Sequence, residues 1–297
     1  MTVTSPLTGS PDVSLDRELN VPTIIRRYQD EIGIDVSRFF AGLQTVPVYR
    51  CNASGLRFYY PFSLAGDGGF YADLSTHYGG YYNPWKWEHE QVFPLVKPGD
   101  RVLEIGCGNG YFLKKIKEKG ATGLGLELND EAIRAGQKLG VEIRNEPLAD
   151  HARTHAGQYD LVCAFQVFEH VDEVGKFFRQ AVACVRPGGR LAIGVPNNDS
   201  YYFREDPYHT LNLPPHHMLL WNPDSLRHAG QMLGLTVEAM RVEPSRTVHR
   251  SLSYKLWLQN RLGSSVFSSL LYKTTRFVAK RLPIFPDGAT VVAVYRN

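Results

Sequence analysis

Short apolar runs alternate with longer amphipathic segments through the last two thirds of the chain. The runs span residues 101–105, 121–126, 141–145, 159–165, 190–195 and 235–242, and a further β-branched run covers 289–295. Short apolar runs separated by helical patterns predict parallel strands with helices packed on both faces of one sheet. The pattern therefore predicts an α/β fold with a doubly wound sheet.

The first of these runs leads directly into a glycine-rich turn. Glu104 precedes Gly106, Gly108 and Gly110, and a helical pattern opens at Tyr111. Glycine lets the backbone turn tightly and approach a ligand, because no Cβ stands in the way. The spacing differs from the G-x-G-x-x-G fingerprint of dinucleotide sites.

The second run ends in a carboxylate, Glu127. It follows Gly106 by about 20 positions, the separation expected when an acid at the tip of the second strand holds ribose hydroxyls. The turn and this acid together predict a nucleoside-containing ligand.

These segments resemble the S-adenosylmethionine (SAM) site of class I methyltransferases, and residues 159–171 and 186–193 resemble the next two motifs in the same order. The resemblance covers roughly residues 85–245 and the last ten. It implies a Rossmann-like, seven-stranded, mostly parallel sheet and SAM as the cofactor. It also implies an N-terminal extension and cap or lid over 1–90, followed by a SAM-binding domain over 91–297. A doubly wound domain for another nucleotide is the alternative.

The resemblance assigns the cofactor contacts. Main-chain groups of 106–110 would meet the methionyl end and the ribose, Glu104 the loop or the amino group, and Glu127 the ribose. The loop 146–150 would meet the adenine. The full set is Glu104, Gly106, Cys107, Gly108, Gly110, Tyr111, Glu127, Leu128, Leu148, Phe165 and Gln166.

The N-terminal part carries weaker signals. Residues 1–20 are polar, and we expect them to be poorly ordered. Residues 48–61 resemble the second half of a small zinc module found in bacterial sugar methyltransferases. Here Cys51 has only Ser54 where a second thiolate would stand, and zinc usually needs four ligands. We therefore expect a strand-turn-strand unit without metal.

Aromatic residues are dense over 68–93. We interpret this segment as a helical cap that packs on the core and partly closes over the cofactor. Aromatic faces suit both a sulfonium and a sugar ring, so Tyr78, Tyr81 and Tyr82 are candidate substrate contacts.

Three histidines are the candidate catalytic residues: His170, His216 and His217. Imidazole titrates near neutrality and can take a proton from a hydroxyl. His170 follows the fourth strand, whose carboxyl end faces the ligand, and the other two lie in a long loop over 196–221. A scaffold role is the alternative for His170.

A second hypothesis uses the same residues as metal ligands. Small-RNA 2′-O-methyltransferases have Glu-x-x-Glu-His after the fourth strand and a later His, which together bind a metal. This chain has Gln166, Glu169 and His170, followed by His216 and His217. Because the Gln166 amide is a poor ligand, we predict no metal.

Residues 244–286 contain no Asp or Glu and hold eight basic residues: Arg246, Arg250, Lys255, Arg261, Lys273, Arg276, Lys280 and Arg281. Apolar residues recur there at helical spacing, which predicts a helical insertion before the last strand. Its basic face is either merely solvated or contacts phosphates or an anionic membrane surface.

Composition limits the function classes. Hydrophobic residues make up 43% of the chain and the net charge is +3, so we expect no bulk nucleic-acid binding. Scattered cysteines and the lack of a signal-peptide pattern favour a cytoplasmic protein. A peripheral position at the inner membrane surface through 244–286 is the alternative.

These features favour a SAM-dependent O-methyltransferase that acts on a sugar hydroxyl in glycan or glycoconjugate assembly. The sugar assignment depends on resemblance of the cap and of the loop around His216 and His217. The alternatives are a quinone or secondary-metabolite acceptor, a metal-dependent RNA 2′-O-methyltransferase, and a SAM-binding module without turnover. The oligomeric state is not predicted.

Overall fold

The computed structural model describes residues 2–78, 84–245, 247–263, 266–279 and 287–297. Within them the strands are β1 (Val13–Asn20), β2 (Thr45–Cys51), β3 (Arg57–Tyr59), β4 (Arg101–Ile105), β5 (Thr122–Leu126), β6 (Glu142–Arg144), β7 (Tyr159–Phe165), β8 (Val185–Pro196), β9 (Leu219–Leu220), β10 (Thr236–Pro244) and β11 (Asp287–Arg296). The helices are α1 (Val21–Glu31), α2 (Gly68–His77), α3 (Trp87–Val92), α4 (Tyr111–Glu118), α5 (Asp130–Lys138), α6 (Leu148–Thr154), α7 (Val174–Cys184), α8 (Tyr201–Glu205), α9 (Pro223–Met232), α10 (Thr247–Leu262) and α11 (Val266–Ala279).

The apolar runs form a seven-stranded sheet in the order β10-β11-β8-β7-β4-β5-β6. Its five strands from β8 to β6 are parallel, and β11 runs antiparallel to both β8 and β10. The central strands are buried along nearly their whole length, as expected when helices cover both faces. This arrangement confirms the predicted Rossmann-like class I methyltransferase sheet.

The chain order reverses beside β4, which lies between β5 and β7. In open α/β sheets, ligands bind outside the carboxyl ends of the strands at such a switch point. The topology therefore places a site at the glycine-rich turn after β4.

A smaller four-stranded sheet has the order β1-β2-β3-β9. β2 and β3 form the predicted strand-turn-strand unit. The expectation of poor order over residues 1–20 is wrong, because β1 pairs with β2 along its length. The partner strand supplies the hydrogen bonds and Leu19 enters the hydrophobic core, so β1 is ordered although its sequence is mostly polar.

The N-terminal part and the larger sheet share one hydrophobic core. Val46 and Phe58 from the small sheet belong to the same buried cluster as Val162 and Ile193 from the large one. A Cβ on Gly175 of α7 would lie 2.2 Å from the carbonyl oxygen of Leu7, so the two parts touch closely. The predicted boundary near residue 90 stays a prediction.

The segment between β10 and β11 contains α10 and α11, as predicted for a helical insertion. The two helices are joined by polar contacts between Ser251 and Tyr272 and between Tyr254 and Thr275, both 2.8 Å. Among the described helices, none combines the length and the apolar character that a bilayer crossing requires.

Candidate active site

A cavity of about 1170 Å³ opens at the carboxyl ends of β4, β5 and β7. Ligand pockets usually measure about 300–1,000 Å³, so this one is large enough for a nucleoside cofactor together with a small acceptor. Leu128 and Leu148, which follow β5 and β6, lie on one flank of β4. His170, which follows β7, lies on the other. The topology thus separates two ends of one cavity.

The glycine turn after β4 folds as the spacing predicts. Gly106, Gly108 and Gly110 have φ of 65°, 52° and 70°, a region that glycine adopts without strain. A Cβ on Gly106 would lie 2.5 Å from Cγ2 of Val167. Gly106 and Gly108 line the cavity, as do the predicted Cys107 and Tyr111.

Gly110 is not among the residues that line the cavity. It caps α4, and a Cβ there would lie 2.7 Å from Cγ2 of Val141. Glycine is therefore required at position 110 because the turn packs closely against Val141, just before β6. The structure does not place Gly110 beside a ligand.

Glu127 fastens the turn to the end of β5. Its Oε2 accepts a 2.8 Å hydrogen bond from the main-chain N–H of Gly108, and Oε1 accepts from those of Leu128 and Asn129 at 2.8 and 3.0 Å. Each carboxylate oxygen has two lone pairs, so Oε2 keeps one that can accept a ribose hydroxyl. Leu128 is 64% exposed at the cavity wall, where its side chain is available to a flat ring.

Glu104 is buried below the turn, and its Oε2 has no hydrogen-bond partner within the described residues. Burial, with a further contribution from the charge of Glu127, holds the pKa of Glu104 well above its ordinary value. A buried carboxyl without a donor is costly. It would be compensated by a ligand that brings a cationic or hydrogen-bonding group into the cavity.

Phe165 and Gln166 end β7 at the cavity wall, as predicted. The Phe165 ring packs edge-on against His89 and Phe112, with centroids 4.7 and 5.2 Å away. The Gln166 side chain donates from Nε2 to Oε1 of Glu88 at 3.1 Å. Sequence reasoning missed Glu88, which lies in α3 within the aromatic segment and is buried at 3% exposure.

Main-chain hydrogen bonds bring the long loop over 196–221 onto the segment after β7. The N–H groups of Met218 and Leu219 donate to the carbonyl of Glu169 at 2.9 and 3.0 Å. The indole N–H of Trp221 donates to the carbonyl of Phe168 at 3.2 Å. As a result the loop histidines, His216 and His217, lie against the strand-end residues.

The three predicted catalytic histidines therefore form one cluster at the cavity. One nitrogen from each of His170, His216 and His217 lies within 4.8 Å of the others. The ring centroids of His170 are 4.8 and 4.9 Å from those of His216 and His217. Burial lowers the pKa of each imidazole, that of His170 to about 4, so all three are neutral near pH 7.

Glu169 lies beside the histidine cluster, next to His217. Its Oε1 lies 3.9 Å from Nε2 of His217, and neither carboxyl oxygen has a hydrogen-bond partner among the residues described. Burial raises the pKa of Glu169 to about 8. Glu169 is fully buried, which the sequence could not indicate.

The aromatic segment contributes to the same end of the cavity. Tyr78 lines the cavity and is 39% exposed. Tyr81 and Tyr82 lie outside the described residues. Sequence reasoning overlooked Tyr71 of α2, whose hydroxyl lies 3.1 Å from Nδ1 of His170. Its position in the aromatic segment was the available signal.

Comparison with known proteins points to one family. Residues 82–240, more than half of the chain, match a family model described as "Methyltransferase domain". A protein from Bordetella avium (strain 197N), named ubiquinone biosynthesis O-methyltransferase, is 31% identical over 127 residues, which are 41% of this chain and 53% of that protein. A protein of the same name from Escherichia coli O7:K1 is 32% identical over 107 residues, 34% of this chain and 45% of that protein. The chain thus spans about half the length of the curated relatives it matches.

Among solved structures, a SAM dependent methyltransferase from Archaeoglobus fulgidus superimposes with a TM-score of 0.52. It is 20% identical, and the match covers 70% of this chain and 90% of that one. At this identity the likeness concerns the fold.

Proposed function

This chain belongs to the methyltransferase domain family, and on that premise we propose that it transfers a methyl group from SAM to a hydroxyl oxygen of a small-molecule acceptor. The observation that carries the proposal is the meeting of two features in one cavity. A glycine turn with two acids lies at the switch point of the sheet, and a cluster of neutral imidazoles faces the same space.

The residues at the turn fit the cofactor, which is SAM. Glu104 offers an unpartnered buried carboxyl oxygen to the cationic amino group of the methionyl part. Gly106 lets the turn pack against Val167 at the cavity wall, because a Cβ there would lie 2.5 Å from Cγ2 of that residue. Glu127 has one remaining lone pair, on Oε2, for a ribose hydroxyl, and Leu128 and Leu148 provide apolar surfaces for the adenine.

When bound, SAM supplies a methyl group on a sulfonium, so the S–C bond breaks as the O–C bond forms. The acceptor hydroxyl must lose its proton in this step. The unprotonated imidazole nitrogens promote that loss in either of two ways: as bases that take the proton, or as ligands of a cation that lowers the pKa of the hydroxyl. Positioning of the two reactants by the cavity supplies much of the rate.

For the acceptor we propose a sugar hydroxyl. We place the acceptor at the end of the cavity that contains the three histidines, and we call this the acceptor end. It is also lined by polar groups of the N-terminal part, including Asp67, Tyr71 and Thr76. Hydroxyl-rich ligands need several such partners, because each buried hydroxyl without one is costly. The resemblance of residues 48–61 to the zinc module of sugar methyltransferases supports the same class.

A phenolic hydroxyl of a quinone precursor is the second candidate. The names of the two relatives favour it, although the similarity covers less than half of this chain. Phe203 and Leu211, which also line the cavity, would suit an aromatic ring.

The test is transfer of labelled methyl from SAM to nucleotide-sugars, lipid-linked saccharide extracts, catechols and short RNA, offered in parallel. Label on a saccharide is the expected result, and label on a catechol instead would select the second candidate. Label on RNA alone, or on none of the four, would overturn the proposal. Glu127→Gln should reduce transfer, while Glu118→Gln on the exposed end of α4 serves as the matched control.

A further inference from the structure

Four ionisable side chains lie together at the acceptor end of the cavity. We propose that Glu169, His170, His216 and His217 form a site for one divalent metal cation of the zinc or manganese type. The ligand atoms would be one imidazole nitrogen from each histidine and a carboxylate oxygen. This departs from the sequence-based prediction of no metal, which considered Gln166 as a ligand. Gln166 instead bonds to Glu88.

The first argument is the tautomer of each ring. Nδ1 of His170 lies 2.6 Å from the carbonyl oxygen of His216, and Nδ1 of His216 lies 2.8 Å from the carbonyl oxygen of Leu211. A carbonyl can only accept, so in both rings Nδ1 carries the proton. Nε2 is then the nitrogen with the lone pair, as in a metal-binding imidazole.

The tautomer of His217 is set by a chain of amides. The carbonyl of Trp221 accepts from Nδ2 of Asn198, whose Oδ1 accepts from Nδ2 of Asn212 at 2.7 Å. Asn212 therefore presents Oδ1 to Nδ1 of His217, 3.2 Å away. Because an amide oxygen can only accept, Nδ1 of His217 carries the proton. The lone pair of His217 faces Glu169.

The second argument is the burial of the Glu169 carboxyl beside His217. The lone pair on Nε2 of His217 and Oε1 of Glu169 are 3.9 Å apart, and within the described residues no donor reaches either carboxyl oxygen. A buried carboxyl whose oxygens have no hydrogen-bonding partner is costly in a medium of low dielectric constant. A cation held by this carboxyl and the imidazoles would remove that cost, and the carboxyl would release its proton to water on binding.

The third argument is the support behind the ligands. Metal-binding histidines usually donate their other ring N–H to a carbonyl or carboxylate, which fixes the ring orientation. All three rings have such a partner here. Two ligands of one ion, each about 2.1 Å from it, lie up to about 4.2 Å apart. One nitrogen from each ring lies within 4.8 Å of the others, and Oε1 of Glu169 lies 3.9 Å from Nε2 of His217, so side-chain rotations would bring these atoms onto one ion.

Imidazole and carboxylate ligands together suit Zn²⁺, Mn²⁺ or Fe²⁺ better than Mg²⁺, which prefers oxygen alone. A cation at this position would bind the acceptor hydroxyl and lower its pKa, and the proton would leave to water. This catalytic consequence depends on the function proposed above, but binding of the metal does not.

The experiment measures binding without turnover. Tag-free protein is stripped with chelator and titrated with Co²⁺ and Zn²⁺, and stoichiometry is read by elemental analysis and by the visible absorbance of bound Co²⁺. We expect one ion per chain. Glu169→Gln and His217→Ala should weaken Co²⁺ binding at least tenfold, and Asn212→Ala, which only orients His217, by about 10- to 100-fold.

Glu173→Gln is the matched control, because this exposed acid lies one turn further along and contacts Lys176. SAM affinity, measured by calorimetry, shows that each variant is folded. No bound ion in the wild type, or equal Co²⁺ affinity in wild type and Glu169→Gln, would overturn the site. Stoichiometric metal without methyl transfer to any acceptor would reject the proposed function and leave the site standing. Methyl transfer without metal binding would reject the metal site and leave the proposed function standing.

Discussion

Gln166 donates its side-chain amide to the buried Glu88 at 3.1 Å, from a backbone with φ of 59°. Within the described chain it is the sole non-glycine residue at positive φ. Such a conformation costs about 1–3 kcal/mol and persists where surrounding contacts hold it. The main-chain N–H of Gln166 donates to the carbonyl of Gly194 at 2.8 Å, so both its backbone and its side chain are tied at the cavity wall.

We expect Gln166→Ala to destabilise the protein by about 1–3 kcal/mol, because a buried carboxyl loses its donor. Glu88→Gln and the double variant complete a double-mutant cycle. Urea denaturation should give an interaction energy of at least about 0.5 kcal/mol. Strict additivity of the two single changes would show that the hydrogen bond contributes nothing.

Glu104→Gln should stabilise the protein without ligand and weaken SAM binding. Burial raises the pKa of Glu104 above its ordinary 4.5, so the folded state holds this proton while the unfolded state releases it. Stability from this group is therefore present below about pH 4.5 and is lost as pH rises. Chemical denaturation should show that the advantage of the variant grows from pH 4.5 upward.

Calorimetry at pH 7 should show SAM affinity reduced roughly 10- to 100-fold in Glu104→Gln, since a hydrogen bond to a charged group contributes about 1.5–3 kcal/mol. Unchanged affinity would remove Glu104 from the cofactor site.

Gly106→Ala should cost more than the same change at Gly140. Both have positive φ, but a Cβ meets Val167 at 2.5 Å in the first case and nothing within 4 Å in the second. The shared backbone strain is about 1–2 kcal/mol. Only Gly106→Ala should also abolish measurable SAM binding, and equal losses of stability in the two variants would contradict the close packing of the turn.

The large sheet was predictable because its strands are buried on both faces, which leaves continuous apolar runs in the sequence. β1 was not, because only Val13, Leu15 and Leu19 among residues 13–20 are apolar and the strand depends on pairing with β2. The two acids at the cavity, Glu104 and Glu127, were predictable from their fixed spacing to the glycines.

The histidine cluster shows where sequence reasoning ends. Each histidine was a candidate by residue type, but their meeting depends on hydrogen bonds from Met218, Leu219 and Trp221 to the segment after β7. No local periodicity signals these distant contacts. The same holds for Glu88 and Tyr71, whose helices reach the site only through tertiary packing.

The exposed face of α10 and α11 leads to the last prediction, which concerns contact of residues 244–286 with an anionic surface. Phe267, Leu270 and Phe277 are 64%, 59% and 62% exposed, in a segment without acids. We expect the protein to cosediment with vesicles that contain phosphatidylserine, because each nearby Lys or Arg contributes about 1 kcal/mol to binding. Binding should be lost with neutral vesicles and at high salt.

Replacing Phe267 and Leu270 together by Ser should weaken binding to these vesicles roughly tenfold or more. Leu15→Ser, at another exposed leucine, should change nothing. Absence of vesicle binding by the wild type would mean that the basic face is only solvated.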